Sequence, residues 1–359
     1  MKLIHCADLH LDSKMESIFS NELSKIRKAE VLETFKNMVE YANKNNVKII
    51  MISGDMFDST RVQEKIREYV IDIINENKNI DFLYLCGNHD ENNFIKDLEN
   101  IPSNLKIFNN DWTSYRYDNI VITGCELNEI NNKVIYSSLD LKQEDINIVM
   151  LHGQESIYDT KQDADIINLK ALQNKNIDYL ALGHIHSYKV SKLDNRGIYV
   201  YSGCLEGRGF DETGDKGFVL IEVEENKVKH QFIKFARRTL HEINVDITGI
   251  ETLRNLQKAI TDKTNSIHPD DLVKINLVGT YTTNTKKDIV NFENLLKDKF
   301  FFGRVKDKTT IKINIDDYKY DVSLVGQFIR DVLSSNETEN NKGNIITLGL
   351  RALRGEDIE

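Results

Sequence analysis

Val47-Lys48-Ile49-Ile50-Met51-Ile52-Ser53-Gly54-Asp55-Met56-Phe57-Asp58 is an apolar run that stops abruptly on Gly-Asp. Its first seven residues, short and Ile-rich, read as a buried strand, and the polar turn behind them ends it. Lys2–Ala7 is a second run of this kind and stops on Asp8-Leu9-His10. Between the two, Val31, Leu32, Phe35, Met38, Val39 and Ala42 recur at helical spacing. Val62, Ile66, Tyr69, Val70, Ile73 and Ile74 do the same before a third run, Asp81–Leu85. Strand–helix–strand alternation of this kind predicts a layered α/β domain.

Working outward, Ile120–Gly124, Ile146–Leu151 and Tyr179–Leu182 read as further buried strands. Tyr188–Val190, Ile198–Tyr201, Gly217–Val223 and Val228–Phe235 follow, joined by short or Gly-rich turns. They predict a second sheet packed on the first, closing a domain over residues 1–238. The chain then changes character. Thr252–Lys263 and Lys286–Asp298 read as helices, Leu272–Gly279 and Thr309–Ile315 as strands, and Val322–Leu333 as a last helix. This small α+β unit occupies residues 239–333. The polar stretch from Ser334 to Asn344 and the short apolar segment Ile345–Leu353 read as a flexible tail, 334–359, whose apolar residues dock on the chain's own surface or bind a partner.

With 359 residues, 40% of them hydrophobic, the chain can bury a large core and is expected to form two domains. No run of 18 apolar residues exists, which argues against a membrane helix. An acid as early as Asp8 leaves no room for a signal-peptide core, so the expected compartment is the cytoplasm. The four cysteines (Cys6, Cys86, Cys125, Cys204) form no CxxC pair and read as reduced, mostly buried thiols. A formal net charge of -10 argues against a protein that coats nucleic acid by charge alone. Any contact with DNA must come from a local patch or from bound cations.

Five short motifs sit at the ends of predicted strands, where open α/β sheets place ligands. They are Asp8-Leu9-His10, Gly54-Asp55-Met56-Phe57-Asp58, Gly87-Asn88-His89-Asp90, His152-Gly153 and Gly183-His184-Ile185-His186. Each alone is weak; together they hold five of the nine histidines. Imidazole nitrogens, carboxylates and one amide oxygen make a ligand set suited to Mn, Fe, Zn or Co rather than to Ca or Mg alone. The absence of cysteine disfavours a closed structural zinc site. His184 and His186, two residues apart on a sharp loop, can each turn to a different metal.

The series D-x-H, GDxxD, GNHD, H-G and GHxH resembles, in order, the signature of the calcineurin-like metallophosphoesterases. Ile4-His5-Cys6-Ala7-Asp8-Leu9-His10-Leu11-Asp12-Ser13 is closer still to the SbcD-type exonuclease subunits, including the YhaO-like subgroup, and the resemblance spans about residues 1–235. It implies a two-sheet αββα sandwich of the metallophosphoesterase type with a small α+β capping domain. It also implies two divalent metal ions, Mn2+ before Fe. Asp8, His10 and His186 would hold one, Asn88, His152 and His184 the other, with Asp55 bridging and His89 as the catalytic histidine beside the phosphate.

The implied activity is DNA exonuclease or endonuclease hydrolysis by a metal-activated water, in DNA repair. The alternative is a small-molecule phosphodiesterase or nucleotide hydrolase on the same catalytic fold. The resemblance further implies a homodimer and an SbcC-type coiled-coil ATPase partner.

Other residues invite a role. Asp58 and Asp90 are candidate acceptors behind the ligand imidazoles, or plain loop caps. His5 is placed by strand alternation away from Asp8, in the core. Arg208, on a Gly-rich turn, reads as a phosphate grip or a salt bridge. Trp112, Tyr115 and Tyr117 could stack a base or simply pack. Lys286 to Lys312 holds eight basic residues against four acids, opposite to the acidic average, and is the candidate DNA surface, with Lys306 and Lys308 at its centre.

Overall fold

The run at Val47 becomes a strand over Ile49–Ser53 in which every residue is buried. The computed structural model describes residues 1–15, 19–58, 62–88, 100–157, 165–282, 285, 287–311, 318 and 320–353. Chain order begins β1 (Lys2–Cys6), α1 (Asn21–Lys44), β2 (Ile49–Ser53), α2 (Glu64–Glu76), β3 (Asp81–Leu85), β4 (Leu105–Ile107). It continues β5 (Thr113–Tyr117), β6 (Ile120–Gly124), β7 (Ile146–His152), β8 (Gln154–Ser156), β9 (Ile166–Asn168), α3 (Leu169–Leu172). Then come β10 (Tyr179–Gly183), β11 (Lys189–Lys192), β12 (Ile198–Tyr201), β13 (Gly217–Glu224) and β14 (Lys227–Lys234).

These strands make two six-stranded sheets, in the orders β14-β13-β1-β2-β3-β4 and β11-β12-β10-β7-β6-β5. The central pairs β1–β2, β2–β3, β6–β7 and β7–β10 are parallel, so these strands all end on the same side of their sheet. Alternate residues face inward. Leu3, Met51 and Leu83 of the first sheet share one core with Ile122, Ile148, Met150 and Ala181 of the second. The outward face of the first sheet (Ile4, Ile50, Ile52, Phe82) is equally solvent-free. Helices α1 and α2 bury Val31, Phe35, Met38, Val70 and Ile74, and the α1 ring of Tyr41 meets Phe218 of β13 edge-on at 5.2 Å. On the far side, Val149, Leu151 and Leu180 pack with Leu169 and Leu172 of α3. Apolar residues on both faces of the central strands thus produce a mixed α/β sandwich.

The chain forms two compact units, Met1–Thr239 and Leu240–Glu359. The second contains β15 (Leu240–Asp246), α4 (Leu253–Thr264), β16 (Leu272–Val278), β17 (Thr280–Tyr281), α5 (Ile289–Lys299), β18 (Phe302–Asp307) and β19 (Thr310–Ile311). β15, β16 and β18 form a parallel sheet, and Val245, Ile275, Leu277 and Val305 join Leu256, Ile260, Phe292 and Leu296 of the two helices in its core. β15 and β18 escape the sequence reading because charged residues interrupt them.

The expected flexible tail is corrected by a helix over Glu339–Leu353, preceded by another at Leu324–Ser334. Ile346 and Leu350, each 2% exposed, belong to the core of the second unit. Gly349 permits close packing: a Cβ there would stand 2.1 Å from the Phe328 ring. No described helix is long and apolar enough to cross a membrane.

Candidate metal centre

The loops that leave β1, β2 and β10 are backbone-strained where the motifs lie. Asp8, His10, Asp55 and His184 have φ values of +51°, +44°, +52° and +97°. Non-glycine residues in this left-handed region cost about 1–3 kcal/mol each and persist only where their surroundings hold them. Here the loops hold one another. Asp8 N–H donates to the Gly54 carbonyl (3.0 Å), His10 N–H to that of Asp55 (3.0 Å) and Leu11 N–H to that of Met56 (2.9 Å). The Asp8 carboxylate accepts the His184 N–H at 2.9 Å and so ties the first sheet to the second.

These bonds bring seven side chains together. His10 Nε2 lies 3.4 Å from His186 Nε2 and 3.8 Å from the Asp55 carboxylate. His152 Nε2 lies 2.9 Å from Asn88 Oδ1 and 3.5 Å from Asp55. His184 Nδ1 reaches the same Asn88 oxygen at 3.4 Å. Asp8, His10 and His186 each offer a donor atom within 4.8 Å of the others, as do Asp8, Asp55 and His152. Asp8, His10, Asp55 and His152 are buried, whereas Asn88 is exposed, so the cluster opens on one side. The first-sheet loops supply Asp8, His10, Asp55 and Asn88, and the second sheet supplies His152, His184 and His186.

Glycine makes this approach possible. A Cβ at Gly54, whose φ is +91°, would stand 2.0 Å from His152 Nδ1, and one at Gly87 would stand 2.1 Å from Asp55 Oδ1. Only residues without a side chain fit these two positions.

Behind the imidazoles stand acceptors that orient the rings. His152 Nδ1 meets the Ser53 carbonyl at 2.9 Å, His186 Nδ1 meets Glu212 Oε1 at 2.7 Å, and His10 Nδ1 lies 3.1 Å from Asp58 Oδ1. The His10 contact is the main reason that the Asp58 carboxyl is held well below the ordinary carboxylate range. Burial would push Glu212 up, but His186 and Arg208 outweigh it and hold the carboxyl well below that range. Burial also opposes protonation of His186, yet Glu212 wins and raises its pKa. His184, with burial and the His152 ring against it, is lowered.

Glu212 was not legible in the sequence. It lies four residues after Arg208, and only folding brings it to His186. Lys216, whose Nζ donates to the His186 carbonyl at 2.6 Å, was missed for the same reason. Arg208 is a salt-bridge residue, paired with Glu212 (2.7 Å) and Asp58 (3.3 Å). His5 is fully buried against the Tyr179 hydroxyl at 2.9 Å. Trp112 donates to the Ile135 carbonyl, Tyr115 to that of Ile107 and Tyr117 to Asp81, so these aromatics are packing residues. His89 and Asp90 lie outside the described residues. All four cysteines are free thiols.

The donor set fits a pair of divalent cations: imidazole nitrogens, carboxylates and an amide oxygen converge, and no thiolate is among them.

Residues 1–188 match the family model of the calcineurin-like phosphoesterases. Over 93% of this chain and 89% of the relative, the sequence is 22% identical to the DNA double-strand break repair protein Mre11 of Sulfolobus acidocaldarius. It is 24% identical to the uncharacterized metallophosphoesterase YhaO of Bacillus subtilis, over 73% of this chain and 67% of that one. It is 23% identical to a subunit of the nuclease SbcCD of Staphylococcus saprophyticus, over 96% of each chain. The chain belongs to the calcineurin-like phosphoesterase family of metal-dependent phosphoester hydrolases.

Proposed function

We propose that this protein is a two-metal DNA nuclease acting in repair. The observation that carries the reading is the convergence of Asp8, His10, Asp55, Asn88, His152, His184 and His186, each with a donor atom no more than 3.9 Å from that of another member. In this reading Asp8, His10 and His186 would hold one Mn2+ and Asn88, His152 and His184 the other, with Asp55 available to both. The cations, when bound, supply Lewis-acid activation of water and neutralise charge on the phosphate. The chain's own part is orientation. Asp58, Glu212 and the Ser53 carbonyl stand at the Nδ1 atoms of His10, His186 and His152, so that the Nε2 atoms of these three rings face the centre, while His184 presents its Nδ1. His89 is assigned the proton that goes to the departing oxygen.

Two observations favour DNA over a small ester. The alignments to a repair protein and to a component of a nuclease run through the second unit as well as the first, covering 93% and 96% of the chain. That unit also carries the basic residues Arg304 and Lys306, both exposed on β18, with Lys308 just beyond. We assign catalysis to residues 1–238 and DNA contact to 239–333. A homodimer and an SbcC-type coiled-coil ATPase complete the proposed assembly, since the nuclease relative is named as one part of a larger enzyme.

End-labelled linear DNA, a cyclic nucleotide and a bis-nucleotide, each incubated with the protein and Mn2+, test this. The expected result is shortening of the DNA. Rapid turnover of the small esters with the DNA intact would transfer the assignment to a small-molecule phosphodiesterase.

A further inference from the structure

Arg208 sits between two carboxylates that back two different histidines. Its guanidinium donates to Glu212 from Nη2 (2.7 Å) and Nε (3.1 Å), and to Asp58 from Nη1 (3.3 Å). Its backbone N–H donates to the second Glu212 oxygen at 2.7 Å. Glu212 accepts from His186 Nδ1, Asp58 lies against His10 Nδ1, and the two Nε2 atoms face each other at 3.4 Å. The result is a closed ring of five side chains: His10, Asp58, Arg208, Glu212, His186. His10 comes from a loop of the first sheet and His186 from a loop of the second, so these side chains link the two imidazoles across the sheets, beside the bond from the His184 N–H to Asp8.

The loop that carries Arg208 and Glu212 is itself anchored at its other end. Buried Glu206 accepts from Arg27 (3.0 Å) and Thr34 (2.9 Å) of α1 and from the Arg237 N–H. Glu212 is 4% exposed and Arg208 17% exposed at its side chain, and both carboxylates engage the guanidinium. His152 is different: its Nδ1 faces the backbone carbonyl of Ser53. Backbone cannot be deleted by substitution, so the side-chain ring belongs to one half of the cluster.

We propose that Glu212 and Arg208 are positioning residues for the Asp8–His10–His186 cation site, with no direct contact to metal or substrate. Glu212 fixes the His186 ring, and Arg208 couples it to Asp58 and thereby to His10. This rests on the reading of Asp8, His10 and His186 as cation ligands.

The test is titration of metal-free full-length protein with Mn2+ by calorimetry, together with melting of the metal-free forms. Wild type is expected to bind two ions. Glu212→Gln should weaken one of the two by about 10- to 100-fold, the usual effect of losing a partner behind a metal-bound histidine, and leave the other unchanged. Arg208→Lys, which cannot span both carboxylates, should weaken the same ion less. A purely structural role predicts the opposite pattern, a lower melting point with both affinities intact, and that result overturns the proposal. Should Glu212→Gln not fold, Glu212→Asp takes its place: it keeps the charge but draws the carboxylate back from His186, and unchanged binding of both ions would again overturn the proposal. If folded wild type itself binds no ion, the ligand reading has failed and this inference falls with it.

Discussion

His10 Nε2 and His186 Nε2 face each other at 3.4 Å across 176 residues of sequence. His186 turns its Nδ1 to Glu212 and His10 Nδ1 lies 3.1 Å from Asp58; with the protons on Nδ1, two lone pairs are opposed. A cation there would relieve that opposition, and it would bind the folded form rather than the unfolded chain. Mn2+ at about 100 times its dissociation constant should therefore stabilise the protein by roughly 2.7 kcal/mol per site, and chelation should reverse the effect. Calorimetric melts with and without chelator measure it; identical melts would argue that these imidazoles bind nothing.

Gly54 is the second point of leverage. Gly54→Ala forces a Cβ to within 2.0 Å of His152 Nδ1 at a backbone φ of +91°. The expected loss is about 1–3 kcal/mol from overpacking, and His152 is pushed off its place against Asn88. Phosphodiester hydrolysis should fall with it. A variant with wild-type melting and wild-type activity would contradict the contact.

Arg27 predicts a purely structural effect. It is fully buried and donates to Glu206 (3.0 Å), to the Gly207 carbonyl (2.8 Å) and to Glu30. Arg27→Met leaves a buried carboxylate short of its countercharge, at a cost of about 3–5 kcal/mol. Arg27→Met with Glu206→Gln should recover part of that loss. Denaturant melts of the two variants decide the matter.

His5 supplies a pH dependence separate from the cluster. Burial pushes its imidazole down to about 3 from the ordinary 6.5, with the Leu182 backbone offsetting part of the effect. The folded state thus refuses a proton that the unfolded chain accepts below pH 6.5. The associated stability is complete above pH 6.5 and drains away as the pH falls toward 3, at up to about 1.4 kcal/mol per pH unit. His5→Gln keeps a polar partner for the Tyr179 hydroxyl and removes the titration. Metal-free wild type should lose stability faster than this variant between pH 6 and 4, and parallel curves would refute the assignment.

The basic strand edge has its own signature. If Lys306 and Lys308 each neutralise a phosphate, replacing both by Ala should weaken DNA binding and flatten the dependence of log affinity on log salt by about 2. An unchanged slope would remove that edge from the binding surface.

The catalytic half was largely readable from sequence for a simple reason. A strand buried on both faces is uniformly apolar, so its end is marked by the first polar residues, and in this fold those residues are the donors. Val47–Ser53 followed by Gly54-Asp55 is the plainest case. What sequence could not give was the ring behind the histidines, because Glu212 and His186 meet only through the folded chain. Nor could it give β18, where Arg304 and Lys306 alternate with buried Val305 and the run reads as charged rather than as one face of a sheet. The helix in the tail was missed because Asn340, Asn341 and Gly343 dilute the pattern, and of its apolar residues Ile346 and Leu350 are buried whereas Ile345, Leu348 and Leu353 are exposed.

The donors are divided between the two sheets, four from one and three from the other. Both three-donor groups, Asp8–His10–His186 and Asp8–Asp55–His152, draw on both sheets, so full ion capture during refolding is a clock for the moment the halves of the sandwich meet. A manganese paramagnetic resonance that changes to its bound form only after the strands have formed would time that closure directly, in a protein whose sequence offers a single tryptophan as its optical reporter.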